Sequence, residues 1–216
     1  MAVKQTDNPF WISFSDLMAG LLFVFILIFA VTILAYQEQE PSVSREKITQ
    51  ALVSMLLDQF QAKHHYPVEI SRDTGTISVS EGVLFDFNQS ELSAEGKVFL
   101  SDFIPKYCAI LFDNPEIGRE ITAVIVEGHT DEVGSYQFNM GLSLRRAYSV
   151  VAYIFDPQAF PNFPYSAILQ QKLSANGRSK VDLKNTSAQS RRVEFKFRLR
   201  DINAFETSIH NHSRER

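Results

Sequence analysis

An unbroken apolar stretch near the start of the chain is the strongest feature of its hydrophobic pattern. It runs from Pro9 to Tyr36 and holds a single charged residue, Asp16. About 20 apolar residues at roughly 1.5 Å each cross a hydrocarbon layer of about 30 Å, so the pattern predicts a transmembrane helix over residues 9–36. Asn8 is a suitable N-cap and Pro9 a suitable first helical residue.

The residues that flank this stretch indicate its orientation. Lys4 precedes it, whereas Glu38 and Glu40 follow it. The positive-inside rule therefore favours a cytoplasmic location for residues 1–8 and places everything after Tyr36 outside the cytoplasm. A cleaved signal peptide is disfavoured, because a basic start and small residues at a cleavage site are missing.

A polar segment with Pro41 comes next, and beyond it apolar residues recur at helical spacing. We predict a linker over residues 37–66 that contains a short amphipathic helix. Its apolar stripe could pack within the protein, pair with a second copy or lie along the bilayer, and we favour packing within the protein. The stripe comprises Ile48, Leu52, Val53, Leu56, Leu57 and Phe60.

From residue 67 to residue 200 the chain alternates between strand and helix patterns. Val68–Ile70 and Thr76–Phe85 flank a turn-forming segment, which predicts a β-hairpin. The later predicted elements are a helix at Ser93–Phe112, a buried strand at Ile121–Glu127, a helix at Ser135–Phe155, a loop at Asp156–Tyr165, and strands at Leu173–Ala175 and Arg191–Leu199. This order predicts an α/β (α+β) domain in which helices pack on one face of a single sheet.

Composition narrows the classes of function. The 216 residues carry a formal net charge of -4, which disfavours nucleic acid as a partner because phosphate binding needs a clustered basic face. Cys108 is the single cysteine, so no internal disulfide can form. Residues 201–216 have the composition of a polar tail. About 180 residues beyond the apolar stretch suffice for one linker and one compact domain.

A polar motif follows the predicted buried strand at Ile121–Glu127. The string VEGHTDEVGSYQFNMGLSLRRA, with SRRVE from Ser190 to Glu194, resembles the peptidoglycan-binding domain at the C-terminus of OmpA and of the flagellar stator protein MotB. The resemblance covers roughly Val83 to Arg200. It implies an OmpA C-terminal-like fold for residues 67–200.

The resemblance also implies a ligand, the diaminopimelate side chain of the wall peptide, which exposes an ammonium and a carboxylate. Asp131 matches the residue that takes the ammonium, and Arg146 matches the residue whose planar guanidinium grips the carboxylate. Thr130 and Asn139 match supporting polar groups. Ser190 stands where the family usually has Asn, which puts the shape of the site's rim in doubt.

Asp131 and Arg146 each have a purely structural interpretation as well. Asp131 alone could cap a loop or helix entry, and Arg146 alone could be a solvated helix charge. His129 with Glu127 and Asp131 could suggest a metal site, which we disfavour because no further Cys or His cluster supports it, so no metal or cofactor is expected.

An enzyme is disfavoured as well. The sequence offers no nucleophile with a positioned base and no Gly-rich phosphate loop. Ser143 is a serine within the motif, and the family gives it a structural hydrogen bond.

The membrane segment carries a second resemblance. The string FWISFSDLM, residues 10–18, is similar to the start of MotB-type stator helices, whose single aspartate takes the transported proton. This implies that Asp16 carries the ion, and Ser13 and Gly20 lie on the same helical face as support. More narrowly, the residues of this string and the short linker resemble those of the B subunit of the Zorya antiphage defence system. Asp16 could instead reach the cytoplasmic interface as a topology marker.

The resemblance implies a bacterial inner-membrane complex in which two copies of the chain sit inside a ring of a multi-span A subunit. Protons would pass through Asp16, and sodium stays open because carboxylate and hydroxyl ligands suit either ion. A flagellar stator and a passive tether to peptidoglycan are the alternatives. A TolR-like or ExbD-like subunit would share the helix and Asp16 but would lack the wall-binding motif.

Overall fold

The structure is a computed structural model that describes the backbone of residues 9–63, 66–86 and 88–200, with side chains except at residues 9–13 and 35–44. Its contacts divide the chain into two compact units, Met1–Ser44 and Arg45–Arg216. The predictions for residues 1–8 and for the tail at residues 201–216 fall outside the described residues.

Helix α1 spans Pro9–Leu57. Within it, Phe14–Leu34 is long and apolar enough to cross a membrane, with 21 residues, a mean hydropathy of 3.0 and exposed side chains throughout. The polar segment at residues 37–44 of the predicted linker is part of this helix. Glutamate and glutamine are good helix formers, and a polar composition alone does not end a helix.

The second unit contains the end of α1 and all later elements. In chain order they are a π-helix at Asp58–Lys63, β1 at Val68–Ile70, β2 at Ile77–Ser80, α2 at Glu81–Leu84, α3 at Ala94–Phe112, α4 at Pro115–Glu120, β3 at Ile121–His129, α5 at Tyr136–Ile154, α6 at Ser166–Lys172, β4 at Leu173–Gly177, α7 at Ser187–Ser190 and β5 at Arg192–Leu199. The strands form one sheet in the order β1-β2-β5-β3-β4. Only β3 and β4 are parallel neighbours, and the other described pairs are antiparallel.

The apolar face of the sheet carries the core. Val79 pairs with Val193 and Val126 pairs with Phe195, so alternate residues of β2, β5 and β3 project to the same side. Residues of α3 and α5 complete this cluster, and Phe103 of α3 is fully buried. The predicted arrangement, a sheet with helices packed on one face, is confirmed.

The end of α1 and the π-helix that follows it belong to this core. Leu52, Leu56 and Phe60 are 0% exposed and join the apolar cluster. The Phe60 ring lies 4.8 Å from the ring of Phe103, measured between centroids. The predicted apolar stripe therefore packs within the protein, the alternative that we favoured. Cys108 on α3 is also fully buried there, and burial raises the pKa of its thiol to about 12.

The predicted hairpin is present, with Val68 opposite Val79, but its second strand is shorter than predicted. Strand β2 ends at Ser80 and the chain turns through α2 instead of continuing to Phe85. Gly82 disfavours a strand, while Leu84 still reaches the core from this single helical turn. Short helices α4, α6 and α7 were also not predicted, because so few residues show no periodicity.

Strand β3 and helix α5 touch backbone to backbone at Gly128. A Cβ added at Gly128 would overlap the carbonyl oxygen of Ser143, whereas one added at Gly82 would meet nothing within 4 Å. Gly128 thus sets the distance between β3 and α5. The motif residues lie near the end of β3 and along α5.

We expect Gly128→Ala to lower the free energy of unfolding by about 3 kcal/mol or more, because neither backbone can yield without moving an element. Gly82→Ala is the matched control and should change it by about 1 kcal/mol at most, since the site has room. Urea unfolding of the detergent-solubilised chain, followed by near-ultraviolet circular dichroism of its tyrosines, measures both. Equal stabilities of the two variants would contradict the close packing.

Candidate functional site

The residues predicted for the membrane site lie on α1. Asp16 and Gly20 are exposed and one helical turn apart, which places them on one face. The side chain of Ser13 lies outside the described residues. The ion-carrying role of Asp16 stays a prediction.

The residues predicted for the wall-peptide site lie where β3 ends and along α5. Asp131 lies two residues beyond the end of the strand, and its Oδ1 accepts a hydrogen bond of 3.1 Å from the backbone nitrogen of Val133. Asn139 is 1% exposed and donates to the carbonyl oxygens of Asp131, at 3.4 Å, and Val133, at 2.9 Å. The backbone nitrogen of Thr130 donates to Ser179. The loop that carries Asp131 is therefore fixed by its neighbours.

Arg146 points inward from α5 and is 2% exposed. Its Nη2 donates to Oε1 of Glu81 at 2.6 Å, its Nε donates to the carbonyl oxygen of Gln89 at 3.0 Å, and its guanidinium carbon lies 5.5 Å from the centre of the Phe85 ring. Burial lowers the pKa of Arg146, although the Glu81 carboxylate opposes this effect. An arginine stays charged at neutral pH even so. The interpretation of Arg146 as a solvated helix charge is wrong.

A chain of ion pairs joins the two predicted ligand residues. Arg146 pairs with Glu81, the other Glu81 oxygen lies 3.1 Å from Nε of Arg191, and Nη1 of Arg191 donates to Oδ2 of Asp131 at 2.7 Å. We call these four residues the charge chain. Its charges alternate in sign and sum to zero. Asp131 and Arg146 are thus brought into one site, but each already has a partner of opposite charge.

Sequence reasoning missed the roles of Glu81 and Arg191, although one signal was available. Ile77 and Val79 alternate inward, and continuing that alternation places Glu81 at an inward position where a carboxylate needs a cation. The predicted strand to Phe85 contained this conflict. In the structure Glu81 is 6% exposed and meets two arginines.

A second ionic cluster occupies the opposite face of the sheet. Lys196 Nζ lies 2.7 Å from Glu127 and 2.8 Å from Glu194, and Arg192 Nε lies 2.6 Å from Glu194. The Nε2 atom of His129, which is fully buried, lies 3.3 Å from Glu194 and 3.6 Å from Glu127. We call these five residues the outer-face cluster.

The outer-face cluster bears on the metal alternative. Glu127, His129 and Glu194 place ligand atoms within 4.8 Å of one another, a donor set that a divalent cation accepts. Asp131, which was part of that alternative, pairs with Arg191 instead. Lys196 and Arg192 already neutralise the two glutamates, so the arrangement suits ion pairing within the protein.

The charges of the outer-face cluster shift one another's pKa values. The neighbouring His129 and Lys196 hold the pKa of Glu127 down at about 2, against the effect of burial. Burial alone would raise the pKa of Glu194, but His129, Lys196 and Arg192 together hold it well below its usual range. Burial alone would lower the pKa of His129, but the two glutamates raise it instead.

The segment between β4 and β5 ends beside Arg191 of the charge chain and Arg192 of the outer-face cluster. Ser190 is 2% exposed, and its hydroxyl accepts from the backbone nitrogen of Lys184 at 2.9 Å and donates to the carbonyl oxygen of Thr186 at 3.0 Å. This serine, which replaces the asparagine usual in the family, therefore still holds the loop that positions Arg191 and Arg192.

Comparison with known proteins matches this domain to one family. The OmpA family model matches residues 84–194. The chain is 32% identical to the Zorya protein ZorB of Escherichia coli strain Crooks, over 89% of this chain and 89% of that protein. It is 29% identical to the Zorya protein ZorB of Escherichia coli O139:H28, over 90% of this chain and 82% of that protein.

Among solved structures, the periplasmic domain of MotB aligns with 67% of this chain and 75% of its own chain, with a TM-score of 0.47 and 17% identity. The family assignment does not depend on that alignment.

The pKa shifts predict acid sensitivity. Glu127 and Glu194 have folded-state pKa values below their unfolded values, so their stabilisation is present above about pH 4.5 and is lost as pH falls towards 2. The raised pKa of His129 acts oppositely, since its contribution is complete in acid and is lost as pH rises above 6.5. We expect Glu127→Gln to be less stable than the wild type at pH 7, by on the order of 2 kcal/mol, and to lose less between pH 4.5 and 3.

Urea unfolding at several pH values tests this expectation. Glu95→Gln, which changes an exposed carboxylate, is the control and should keep the wild-type acid profile. The explanation fails if Glu127→Gln and the wild type lose stability in parallel as the pH falls.

Proposed function

This chain belongs to the OmpA family and to the family of the Zorya protein ZorB, and on that premise we propose a function for it. We propose that it is the cell-wall-anchored, ion-carrying B subunit of a MotA/MotB-like rotary motor in Zorya antiphage defence. One observation carries the proposal: the same chain joins an apolar stretch with a single carboxylate, Asp16, to a domain that gathers Asp131 and Arg146. Such a subunit binds and conducts, and the chemistry of the defence reaction belongs to other proteins.

In this proposal the domain binds the diaminopimelate side chain of peptidoglycan. Asp131 takes the ammonium and Arg146 takes the carboxylate, since paired charge-assisted hydrogen bonds give both strength and geometry. Asn139 and Thr130 keep the Asp131 loop in place. The mild net negative charge of the chain does not oppose this ligand, whose charged end is neutral overall.

Arg146→Lys should fail to bind the wall, because an ammonium cannot replace the two parallel donors of a guanidinium. Asp131→Asn should fail as well, because the amide cannot neutralise the ligand's ammonium. We expect at least about a tenfold loss for each, corresponding to about 1.4 kcal/mol. Co-sedimentation of the detergent-solubilised chain with purified sacculi measures it.

Arg145→Lys and Glu132→Gln are the matched controls, because both side chains are exposed neighbours of the proposed ligands. Wild-type co-sedimentation of Arg146→Lys, with the controls unchanged, would refute the assignment of the carboxylate to Arg146.

The membrane half of the proposal places the protein in the bacterial inner membrane, with its N-terminus in the cytoplasm and its domain in the periplasm. Two copies sit inside a ring of a multi-span A subunit, and protons load and unload Asp16. An ionised carboxylate in lipid costs several kcal/mol, so Asp16 needs a partner or a proton there. A charge crossing the membrane gains about 2.3 kcal/mol per 100 mV, enough to bias a rotation. The wall anchor holds this subunit still while the ring turns.

Asp16→Asn should abolish proton flux through the assembled complex and protection against phage, because the amide keeps the size of the side chain but cannot carry a proton. Binding to sacculi should stay at the wild-type level. Ser15→Ala, one residue away on the same exposed helix, is the control and should keep both activities. Proton uptake into vesicles and plaque counts are the measurements.

The same experiment separates the motor from a passive tether. A tether needs the wall site only, so retained protection by Asp16→Asn together with lost protection by Arg146→Lys would favour it. The two Zorya relatives, which align with nearly the whole chain, favour defence over flagellar motility.

A further inference from the structure

The two residues proposed to hold the wall zwitterion are already occupied by side chains of the protein itself. A guanidinium, that of Arg191, lies 2.7 Å from Asp131, where the ligand's ammonium is proposed to bind. A carboxylate, that of Glu81, lies 2.6 Å from Arg146, where the ligand's carboxylate is proposed to bind. The charge chain thus contains an internal cation and an internal anion at the places of the two ligand charges.

We propose that Glu81 and Arg191 are internal substitutes for the ligand zwitterion, and that wall binding proceeds by an exchange of ionic partners. The ligand carboxylate replaces Glu81 on Arg146, the ligand ammonium replaces Arg191 on Asp131, and the displaced Glu81 and Arg191 remain paired with each other. This inference rests on the proposed function of Asp131 and Arg146 and adds the regulation of their site.

The exchange leaves no charge without a partner. Arg146 and Glu81 are both buried, and a buried ion that loses its partner costs several kcal/mol. Glu81 and Arg191 are already 3.1 Å apart, so the pair that remains needs no long movement to form. Each of the four protein charges has an opposite neighbour before and after the exchange, and both ligand charges have one afterwards.

The exposure of Arg191 gives the ligand a route. The Arg191 side chain is 32% exposed, whereas those of Glu81 and Arg146 are 8% and 2% exposed, so an entering ligand meets Arg191 first. Glu81, Arg191 and the Phe85 ring line a cavity of about 240 Å³. This cavity lies beside the charge chain, and neither Asp131 nor Arg146 is among its lining residues.

Competition by the internal charges lowers the affinity of the resting site. Every bound ligand must displace two good ion pairs, so only the difference between the ligand's contacts and the internal contacts appears as binding free energy. A ligand that carries both charges at the correct separation gains binding free energy at both Arg146 and Asp131. This favours the zwitterion over singly charged groups.

Removing both substitutes tests the proposal. In Glu81→Gln/Arg191→Gln the net charge is unchanged, Asp131 and Arg146 are retained, and the new amide can still accept a hydrogen bond from Arg146. We expect this variant of the full chain in detergent to bind a soluble diaminopimelate-containing muropeptide about tenfold more tightly than the wild type, a change of about 1.4 kcal/mol. Isothermal titration calorimetry measures the dissociation constants. The control is Glu91→Gln/Arg145→Gln, the same exchange at exposed positions, which should bind like the wild type.

Unchanged or weaker binding by a folded Glu81→Gln/Arg191→Gln variant overturns the proposal, because residues that contact the ligand or only support the site cannot tighten binding when removed. Near-ultraviolet circular dichroism reports whether the variant is folded. If it is not, Arg191→Gln alone is measured, since this residue is partly exposed, and binding about threefold tighter is expected. Binding by Arg191→Gln at or below the wild-type level again overturns the proposal.

Asp131→Asn in the same titration separates this inference from the proposed function. If Asp131→Asn loses binding while removal of the substitutes gives no gain, the wall site stands and the exchange is wrong. If neither the wild type nor the variant without substitutes binds the muropeptide, both proposals fail.

Discussion

The burial of a full positive charge at Arg146 is the constraint on which the architecture of the wall-facing end depends. A guanidinium taken out of water needs a carboxylate at hydrogen-bonding distance, and Glu81 supplies it from α2. Strand β2 ends at Ser80, and the helical turn that follows holds Glu81 against Arg146. Phe85 then closes over the guanidinium. One buried cation thus gathers three contacts from the segment between β2 and α3, made by Glu81, Phe85 and Gln89.

Charge neutralisation also fixes the start of β5. Arg191 and Arg192 are consecutive and point to opposite sides, one into the charge chain and the other into the outer-face cluster. The two ionic groups therefore hold the same short segment from both faces of the sheet. A displacement of β5 by one residue would exchange the two arginines and leave Glu81 and Glu194 with the wrong neighbours. Register in this sheet is specified by ions as much as by apolar packing.

The sequence predicted most of the fold because the apolar residues of most elements recur with the period of a helix or of a strand. The helices Ala94–Phe112 and Tyr136–Ile154 and the strand from Ile121 follow their apolar patterns closely. Asp131 and Arg146 came from a motif and not from geometry. Glu81 was missed because its partners lie far away along the chain, and no local pattern reports a contact between residues 81 and 146. The helical character of residues 37–44 was missed because polar composition was equated with a linker.

The complete burial of Cys108 has a practical consequence for watching this protein at work. A thiol that is enclosed by apolar side chains and stays protonated at neutral pH does not react with maleimides. Since the chain has no second cysteine, the wild type already serves as the background for site-directed labelling. A cysteine introduced on the solvent side of α3 or α5 would carry a single fluorophore, and rotation or wall capture could be followed by fluorescence.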